Sequence, residues 1–413
     1  MFATENKQSV SIYLKFINIY QWIFSIFGLT VPPPLLQGNL NRWIHSLLFL
    51  LYMGYCLLLI AMALNMALIH HVAIENVNRQ YQLDATTRIL SYSQNILLVA
   101  GQISMEFMAL GNYKKLGRLH MMIKELEYNM KSLCNGNFRA NPLKWKLLRI
   151  SGLSWLILVG VMLNLNNTLT SEFANMEFRI AVLFFMAAVQ VKFIEFGVYI
   201  QLVYEFLLHV HRQLVYLIAQ IDKACQLQFT EENPSWPFVQ KLMKIQMILN
   251  GIVLLVNKLL DYFSWPLLFV IIYNGEALLN VVNLAYLRDK RFNQNVYIHF
   301  LVLYILVLLS SLFVISCLTQ RCIKKYNSIG LFIHTINLSS EDCGIIMRMR
   351  EFSLQIMHQD LIFTCNGFLD IDFKSYGKML LVISSYVVIL IQFKMEIANE
   401  TEIFTSQHVL NNY

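Results

Sequence analysis

The amino-acid sequence predicts an all-α membrane protein with seven transmembrane helices, a cytoplasmic N-terminus and an extracellular C-terminus. Three observations predict this fold class. Apolar residues make up 57% of the 413 residues and charged residues only 14%, whereas soluble domains contain roughly 45 to 50% apolar residues. Long uncharged runs recur along the whole chain, so we expect a single membrane domain over residues 1–413. Lysine and arginine are divided unevenly between the connecting segments.

The spans follow from the apolar runs that approach the length of about 20 residues needed to cross the hydrocarbon core. The clearest run is 43–69, WIHSLLFLLYMGYCLLLIAMALNMALI, which contains no Lys, Arg, Asp or Glu. The remaining candidates are 89–111, 148–169, 178–208, 261–287, 297–318 and 377–395. Spans 1 to 6 are therefore expected within 43–318, and the seventh at 377–395.

The segments outside these spans are assigned to either side of the membrane. Residues 1–42 are expected to be cytoplasmic and to lack a cleavable signal, because MFATENKQSV is polar. Within them, 12–31 predicts a short helix at the inner membrane interface. Residues 319–376 are expected to be cytoplasmic and to lead into the last helix, and 396–413 to form an extracellular tail.

The orientation comes from the basic residues. With the N-terminus inside, the inner segments hold 23 Lys and Arg and the outer segments seven. Cytoplasmic loops of membrane proteins are enriched in Lys and Arg, so this distribution favours an internal N-terminus. The net charge of +7 then reflects loops near an anionic leaflet, and no nucleic-acid partner is predicted.

Glycosylation sequons and cysteines agree with this orientation. The sequons at Asn166 and Asn399 fall on the outer side, and the sequon at Asn337 falls inside, where it is expected to stay unmodified. All seven cysteines fall within a span or on the inner side. We therefore expect free thiols and no extracellular disulfide framework.

The C-terminal region carries the most specific motif. Seven spans with an internal N-terminus reverse the arrangement of G-protein-coupled receptors, and DRY and NPxxY motifs are absent. Residues 352–393 resemble the C-terminal signature of the insect gustatory receptors. The last helix of that family carries Thr-Tyr, five mostly apolar residues and Gln-Phe, where this chain has Ser385, Tyr386, VVILI, Gln392 and Phe393. The serine keeps the hydroxyl of the threonine, and the preceding FTCNGFLDID is similar to the family's lead into that helix.

The resemblance implies a gustatory receptor subunit in a ligand-gated, non-selective cation channel. Four identical or different subunits would surround one pore lined by the seventh helix, and small-molecule tastants would bind in the outer half of each bundle. The implied location is the plasma membrane of sensory neurons, with membrane lipid as the surrounding partner. An odorant-receptor-type subunit and a secondary transporter are alternatives. The Gln-Phe ending favours the gustatory branch, and a transporter predicts internal repeats or paired interrupted helices that the sequence does not show.

The residue pattern of the last helix agrees with a pore-lining role independently of the family resemblance. Ser385 and Gln392 are seven residues apart and share one helix face with Val388 and Ile389, whereas Tyr386 points elsewhere. One helix cannot enclose water, so a polar-bracketed stripe of this kind requires symmetric copies around an axis. We assign Ser385, Val388, Ile389, Gln392 and Phe393 to the pore or gate. The alternative is that the two polar residues bond neighbouring helices within one subunit.

Other polar residues in or near the spans have proposed roles. Aromatic and amide side chains in the outer halves suit a small neutral or weakly cationic ligand, with ordinary helix packing and interfacial tyrosines as the alternative. Lys192 and Glu195, three residues apart, are expected to neutralise each other. Glu396, Glu400 and Glu402 are expected beyond the last helix, around an outer mouth or in a solvated tail. The ligand candidates are Tyr92, Asn95, Asn164, Asn280, Asn283, Tyr286, Tyr297 and His299.

Enzymatic and metal-binding signatures are absent from the sequence. None of GxSxG, HExxH, the Walker loop or GxGxxG occurs. Cys317 and Cys322, five residues apart, lack partner ligands at the spacing of a metal site. No cofactor and no catalytic residue is predicted.

Overall fold

The computed structural model describes residues 11–36, 41–81, 84–133, 176–226, 235–291, 296–335 and 343–410. Within these residues, ten helices and one two-stranded hairpin follow in chain order. They are α1 (Ile12–Ile26), α2 (Pro33–Leu36), α3 (Arg42–Tyr81), α4 (Ala85–Gly111), α5 (Tyr113–Leu133), α6 (Met176–Gln226), α7 (Ser235–Arg291), α8 (Val296–Thr335), α9 (Cys343–His358), β1 (Thr364–Cys365), β2 (Leu369–Asp370) and α10 (Phe373–Leu410).

The predicted all-α membrane fold is confirmed. Among the described residues, α3, α6, α7, α8 and α10 are long and apolar enough to cross a membrane. The predicted span 89–111 lies in α4, and 148–169 lies outside the described residues. Several helices are longer than their predicted spans: α6 has 51 residues and α7 has 57. At 1.5 Å per residue they measure about 77 and 86 Å, so both extend well beyond a hydrocarbon core of about 30 Å.

The central helix of the described bundle is α7. It packs most extensively against α4, α6 and α5, and it also contacts α8, α9 and α10. Tyr262 and Phe263 in its middle are 1% and 0% exposed, and their rings meet edge to face with centroids 4.9 Å apart. Large aromatic side chains buried at such a junction contribute strongly to packing. The position of α7 therefore determines how its neighbours are arranged.

The first helix is fixed by a carboxylate from α5. Glu127 accepts hydrogen bonds from the backbone N–H groups of Ile12 at 3.0 Å and Tyr13 at 3.3 Å, and from the Ser11 hydroxyl. These first-turn N–H groups have no partner within the helix, and a negative charge there also offsets the helix dipole. The predicted short helix is therefore present as α1, and it packs against α5 and α6. Its placement at the inner interface stays a prediction.

The turn after α1 enters the bundle, where side chains from three other helices satisfy its carbonyl groups. The turn contains Gly28, whose φ of +72° is readily adopted only by glycine. A buried carbonyl without a donor costs free energy, so the donors make this irregular segment possible inside the bundle. The bonds run from Tyr52 Oη to Thr30 O at 2.7 Å, from Gln102 Nε2 to Phe27 O at 3.2 Å and from Lys192 Nζ to Leu29 O at 3.3 Å.

The segment FTCNGFLDID forms a hairpin that directs the chain into α10. Its strands β1 and β2 pair antiparallel, and the turn uses positive φ angles of 50° at Asn366 and 74° at Gly367. Asparagine and glycine tolerate this left-handed conformation better than other residues. Asp372 then accepts from the Ser375 N–H at 2.6 Å and caps the helix. The start of α10 is thus defined by the turn and the cap.

The end of α10 differs from the sequence prediction. The candidate membrane span ends at Glu396, one residue after the predicted end at 395, but the helix continues to Leu410, where the sequence predicts a tail. Residues 393–410 contain no proline or glycine that would stop a helix. Glu396, Glu400 and Glu402 therefore lie within α10, and the prediction that they follow the last helix is wrong.

The described cysteines are free. Cys56, Cys317, Cys322 and Cys365 form no disulfide, while the side chains of the other three lie outside the described part of the structure. Burial raises the pKa of Cys365, beside the hairpin turn, to about 12. This thiol is therefore protonated and unreactive at neutral pH.

Candidate functional site

The predicted pore residues lie on a face of α10 that the other described residues leave uncovered. Ser385, Val388, Ile389, Gln392 and Phe393 are all exposed. In the candidate span Phe373–Glu396 of α10, which includes them, Ile383 alone is buried, whereas 67% of the corresponding stretch of α6 is buried. An apolar helix that its own chain does not cover must contact lipid or another chain.

The polar residues of this face do not join helices within the described part of the subunit. The Ser385 hydroxyl donates to the Leu381 carbonyl of the same helix at 2.9 Å. Gln392 is exposed and makes no hydrogen bond to a described residue. These contacts favour a partner outside the subunit over the alternative of helix packing within it. Tyr386, expected on another face, is also exposed, at 59%.

The other side of α10 packs against α7 and α8. Ile383 is 9% exposed, and Tyr376 Oη donates to the Leu309 carbonyl at 3.4 Å. The Tyr376 ring also meets the Phe313 ring edge to face, with centroids 5.9 Å apart. The first turns of α10 are therefore attached to α8 while the exposed face remains free.

Two of the predicted ligand residues join α4 to α3. Tyr92 Oη donates to Glu75 Oε1 at 2.7 Å, and its ring lies 5.2 Å from the ring of His71. Asn95 Nδ2 donates to the Ala67 carbonyl at 3.4 Å. Both contacts lie near the α3–α4 connection, at the end of the bundle that the sequence predicts to be extracellular.

Two further ligand candidates belong to a contact between α4 and α7 that we call the polar seam. Asn283 Nδ2 donates to Thr87 Oγ1 at 3.0 Å, and Asn280 donates to Gln94. Ser93 donates to Glu276 in the same contact. The polar seam consists of Asp84, which caps α4, and Thr87, Ser93 and Gln94 of α4, with Glu276, Asn280 and Asn283 of α7.

Sequence reasoning identified only Asn280 and Asn283 of this seam. A signal for the others was present, because Thr87 and Gln94 are seven residues apart, and Glu276 is four residues before Asn280. Residues at these spacings share one helix face. The pairing of that face of α4 with α7 is a long-range contact that such spacings do not predict.

The remaining candidates are not placed by the structure. Asn164 and the sequon residue Asn166 lie outside the described residues. Tyr286 belongs to α7, Tyr297 and His299 belong to α8 and Asn399 belongs to α10, but the contacts of their side chains are not described. Their roles stay predictions.

The chemistry of the described site is hydrogen bonding and aromatic contact. The polar seam contributes amides, hydroxyls and carboxylates, and the α3–α4 contact contributes the Tyr92 and His71 rings. In the described part of the chain, no group of three His, Cys, Asp or Glu residues has the arrangement of a metal site.

Comparison with known sequences shows similarity over almost the whole chain. A family model described as 7tm chemosensory receptor matches residues 15–397. The Drosophila melanogaster protein named gustatory receptor 98b is 30% identical over 384 residues, which cover 91% of this chain and 94% of that protein. Gustatory receptor 98c of the same organism is 28% identical over 391 residues, covering 91% of this chain and 92% of that protein.

Comparison with solved structures shows a shared fold. The insect olfactory receptor OR5 from Machilis hrabei has a TM-score of 0.61 and 13% sequence identity, covering 92% of this chain and 98% of that chain. The same receptor in complex with eugenol also has a TM-score of 0.61 and 13% identity, covering 93% of this chain and all of that chain (100%).

Proposed function

The chain belongs to the 7tm chemosensory receptor family, and we propose that it is a gustatory-receptor-type subunit of a ligand-gated, non-selective cation channel. The family consists of receptors and is not an enzyme class. A chemoreceptor role and a multi-pass membrane location follow from this membership. The pore, the tastants and the assembly are the proposed parts.

The exposed face of α10 carries the proposal. On this face Ser385 and Gln392 lie on either side of aliphatic residues, and the described part of the chain does not cover it. When copies of the face surround an axis, they line a water-filled path. Four copies place the Gln392 amides in a polar ring, beside an aliphatic constriction made by Val388 or Ile389. Amide dipoles replace part of an ion's hydration, whereas dewetting at the aliphatic ring closes the path.

The proposed ligand is a small neutral or weakly cationic organic molecule. The olfactory receptor with the same fold binds eugenol, which supports a small-molecule ligand for this chain as well. Tyr92 and Asn95 on one side, and Asn280 and Asn283 on the other, provide aromatic and amide groups near the polar seam. Such a mixture of aromatic walls and a few polar groups is typical of ligand pockets.

Acidic residues beyond the Gln392 ring support cation conduction. Glu396, Glu400 and Glu402 lie within α10, so four helices concentrate negative charge around one mouth of the pore. Such a ring attracts cations and raises their local concentration. We place this mouth on the extracellular side, as the distribution of Lys and Arg predicts.

The gustatory branch is favoured over the odorant-receptor-type alternative. The relatives at 30% and 28% identity are named as gustatory receptors, whereas the olfactory receptor at 13% identity shares the fold alone. Tyr386, Gln392 and Phe393 also match the gustatory motif, and Ser385 keeps the hydroxyl of its threonine. We propose a homotetramer, or a heterotetramer with related subunits, in the plasma membrane of sensory neurons.

Heterologous expression with current recording tests this function. The chain is expressed alone and with a related subunit, and challenged with sugars, bitter compounds and small aromatic alcohols including eugenol. We expect unitary cation currents evoked by at least one compound. Substrate uptake without unitary currents, by protein shown to be at the surface, would instead support the transporter alternative.

A further inference from the structure

Lys394 connects the middle of α10 to the polar seam. Its ammonium lies 3.2 Å from Thr87 Oγ1 and 3.6 Å from Asp84 Oδ1. The Lys394 side chain is only 9% exposed. An ammonium withdrawn from water needs acceptors that replace its hydration. The contact therefore fixes the position of this part of α10 relative to α4.

Thr87 extends this connection to α7. Its hydroxyl donates to Asp84 Oδ1 at 2.5 Å and accepts from Asn283 Nδ2 at 3.0 Å as well as from Lys394. A threonine hydroxyl has one donor and two acceptor positions, so all three are used, by the N-cap of α4, by α7 and by α10. Thr87 is 0% exposed. A displacement of Asn283 therefore disturbs a hydroxyl that also holds Lys394.

Lys394 lies on the side of α10 opposite to the proposed pore. It follows Gln392 by two residues, so the two side chains point about 160° apart around the helix. Gln392 is exposed, whereas Lys394 faces the polar seam. Because one rigid helix carries both residues, a movement of Lys394 relative to α4 turns or tilts the Gln392 face.

We propose that Lys394 and Asp84, joined through Thr87, couple movement of the polar seam to opening of the channel. This inference rests on the proposed function, because it assumes that α10 lines the pore and that ligand binds near the seam. Lys394 contacts neither ligand nor ion in this scheme. It is a positioning residue that acts through α10.

A double-mutant cycle with Asp84→Asn and Lys394→Gln tests the coupling. Asparagine retains the helix cap, in which Asp84 Oδ2 accepts from the Thr87 N–H at 3.3 Å, and glutamine retains much of the lysine stem. The readout is ligand-independent current divided by the number of subunits at the surface. We expect each single variant to change this current at least about fivefold in one shared direction. The double variant changes it no further, because both substitutions break the same contact.

Two controls accompany the cycle. Lys258 and Asp261 of α7 also lie 3.6 Å apart, but both are more than half exposed. The effects of Lys258→Gln and Asp261→Asn on the ligand-independent current are expected to be independent, so the double variant shows the product of the two single fold-changes. Lys394→Arg, which keeps the charge, restores the current to within about twofold of the wild type. Multiplicative effects of Asp84→Asn and Lys394→Gln, as in the control pair, would overturn the proposal.

A second readout separates this proposal from the channel assignment. Met395→Cys, at a position that is 48% exposed, is labelled on intact cells with a membrane-impermeant thiol reagent. We expect Asp84→Asn and Lys394→Gln each to change the labelling rate about threefold, and their combination to change it no further. Unchanged rates contradict the coupling even in a conducting channel. If the two substitutions change the labelling rate in this coupled way but no ligand evokes a current, the channel proposal is contradicted and the contact between Lys394 and Asp84 still couples the two helices.

Discussion

Lys192 and Glu195 of α6 form a buried ion pair, with Lys192 Nζ 2.7 Å from Glu195 Oε2 and both side chains at most 2% exposed. The ammonium also donates to the Leu29 carbonyl at 3.3 Å and lies 4.7 Å from the centre of the Phe263 ring. The prediction that these two charges neutralise each other is confirmed. The pair therefore links α6 to the turn after α1 and to α7.

Removing one member of this pair is expected to destabilise the protein strongly. Lys192→Met leaves Glu195 without its counter-charge and Leu29 without its donor, at a cost of about 3 to 5 kcal/mol. The double variant Lys192→Met with Glu195→Leu removes both charges and is expected to be more stable than the single variant. The measurement is the midpoint of thermal unfolding of the purified protein in detergent.

The exposed pair Lys258–Asp261 provides the control for this prediction. Its side chains are 57% and 61% exposed, so Lys258→Met is expected to cost less than about 1 kcal/mol. A Lys192→Met variant as stable as Lys258→Met would show that the buried pair contributes little.

Gly28 is expected to tolerate no side chain. At its φ of +72°, a Cβ atom would lie 3.0 Å from Leu59 Cδ1 and 3.1 Å from Glu106 Cγ, so Gly28→Ala combines backbone strain with crowding, at a cost of about 1 to 3 kcal/mol. Gly54→Ala in α3 is the matched control, because a Cβ there meets no atom within 4 Å. That change is expected to stabilise the helix by about 0.5 to 1 kcal/mol. The measurement is the shift of the thermal unfolding midpoint relative to the wild type, which is expected to be downward for Gly28→Ala and upward for Gly54→Ala. Equal shifts for the two variants contradict the prediction.

His120 of α5 is expected to make stability depend on acidity. Its Nε2 lies 2.9 Å from Tyr199 Oη, and burial lowers the pKa of His120 to about 4. The unfolded chain has a histidine pKa of about 6.5. Above that value both states are neutral and stability is complete. As the pH falls toward 4, the unfolded state takes up a proton that the folded state excludes, which lowers stability by about 2 kcal/mol between pH 7 and pH 5.

Comparison with His120→Gln isolates this contribution from other titrating groups. Glutamine keeps a polar partner for Tyr199 but does not titrate in this range. The unfolding midpoint of the variant is therefore expected to fall less between pH 7 and pH 5 than that of the wild type. If the unfolding midpoints of the wild type and His120→Gln fall by the same amount between pH 7 and pH 5, other residues cause the acid sensitivity.

The features that could be predicted from the sequence are local ones. The membrane requires apolar runs of defined length, so most spans were located by composition. The three-residue spacing of Lys192 and Glu195 likewise predicts a contact on one helix. The face shared by Ser385 and Gln392 needed only helical periodicity, and the structure leaves that face exposed.

The features that could not be predicted depend on contacts between distant segments. Asn283 meets Thr87 across 196 positions of the chain, and Lys394 meets Thr87 across 307. Hydropathy also fails to predict how far a helix continues outside the membrane, because the polar continuations of α6 and α7 contain no apolar run. The extension of α10 beyond residue 395 was missed for the same reason.

The C-terminus is expected to be extracellular, because the predicted inner segments hold 23 Lys and Arg and the outer segments seven. An epitope placed after Tyr413 is expected to be stained on intact cells, and the sequon at Asn399 to carry a glycan that Asn399→Gln removes. An epitope placed before Met1 is the control and requires permeabilisation. The reverse staining pattern would invert the topology and remove the basis for an extracellular mouth near Glu396.

The last prediction concerns Gln392. If α10 lines the pore, Gln392→Glu replaces four neutral amides by carboxylates that bind cations more tightly, so the relative permeability of calcium over sodium is expected to rise severalfold. Reversal potentials measured in mixed solutions report this ratio. Tyr386→Phe, on another face of the same helix, keeps the ring and is expected to leave the ratio unchanged. Since Gln392 has no described partner within the subunit, Gln392→Glu is expected to fold and reach the surface. A variant that opens with ligand and keeps the wild-type ratio would place Gln392 in a helix contact outside the pore.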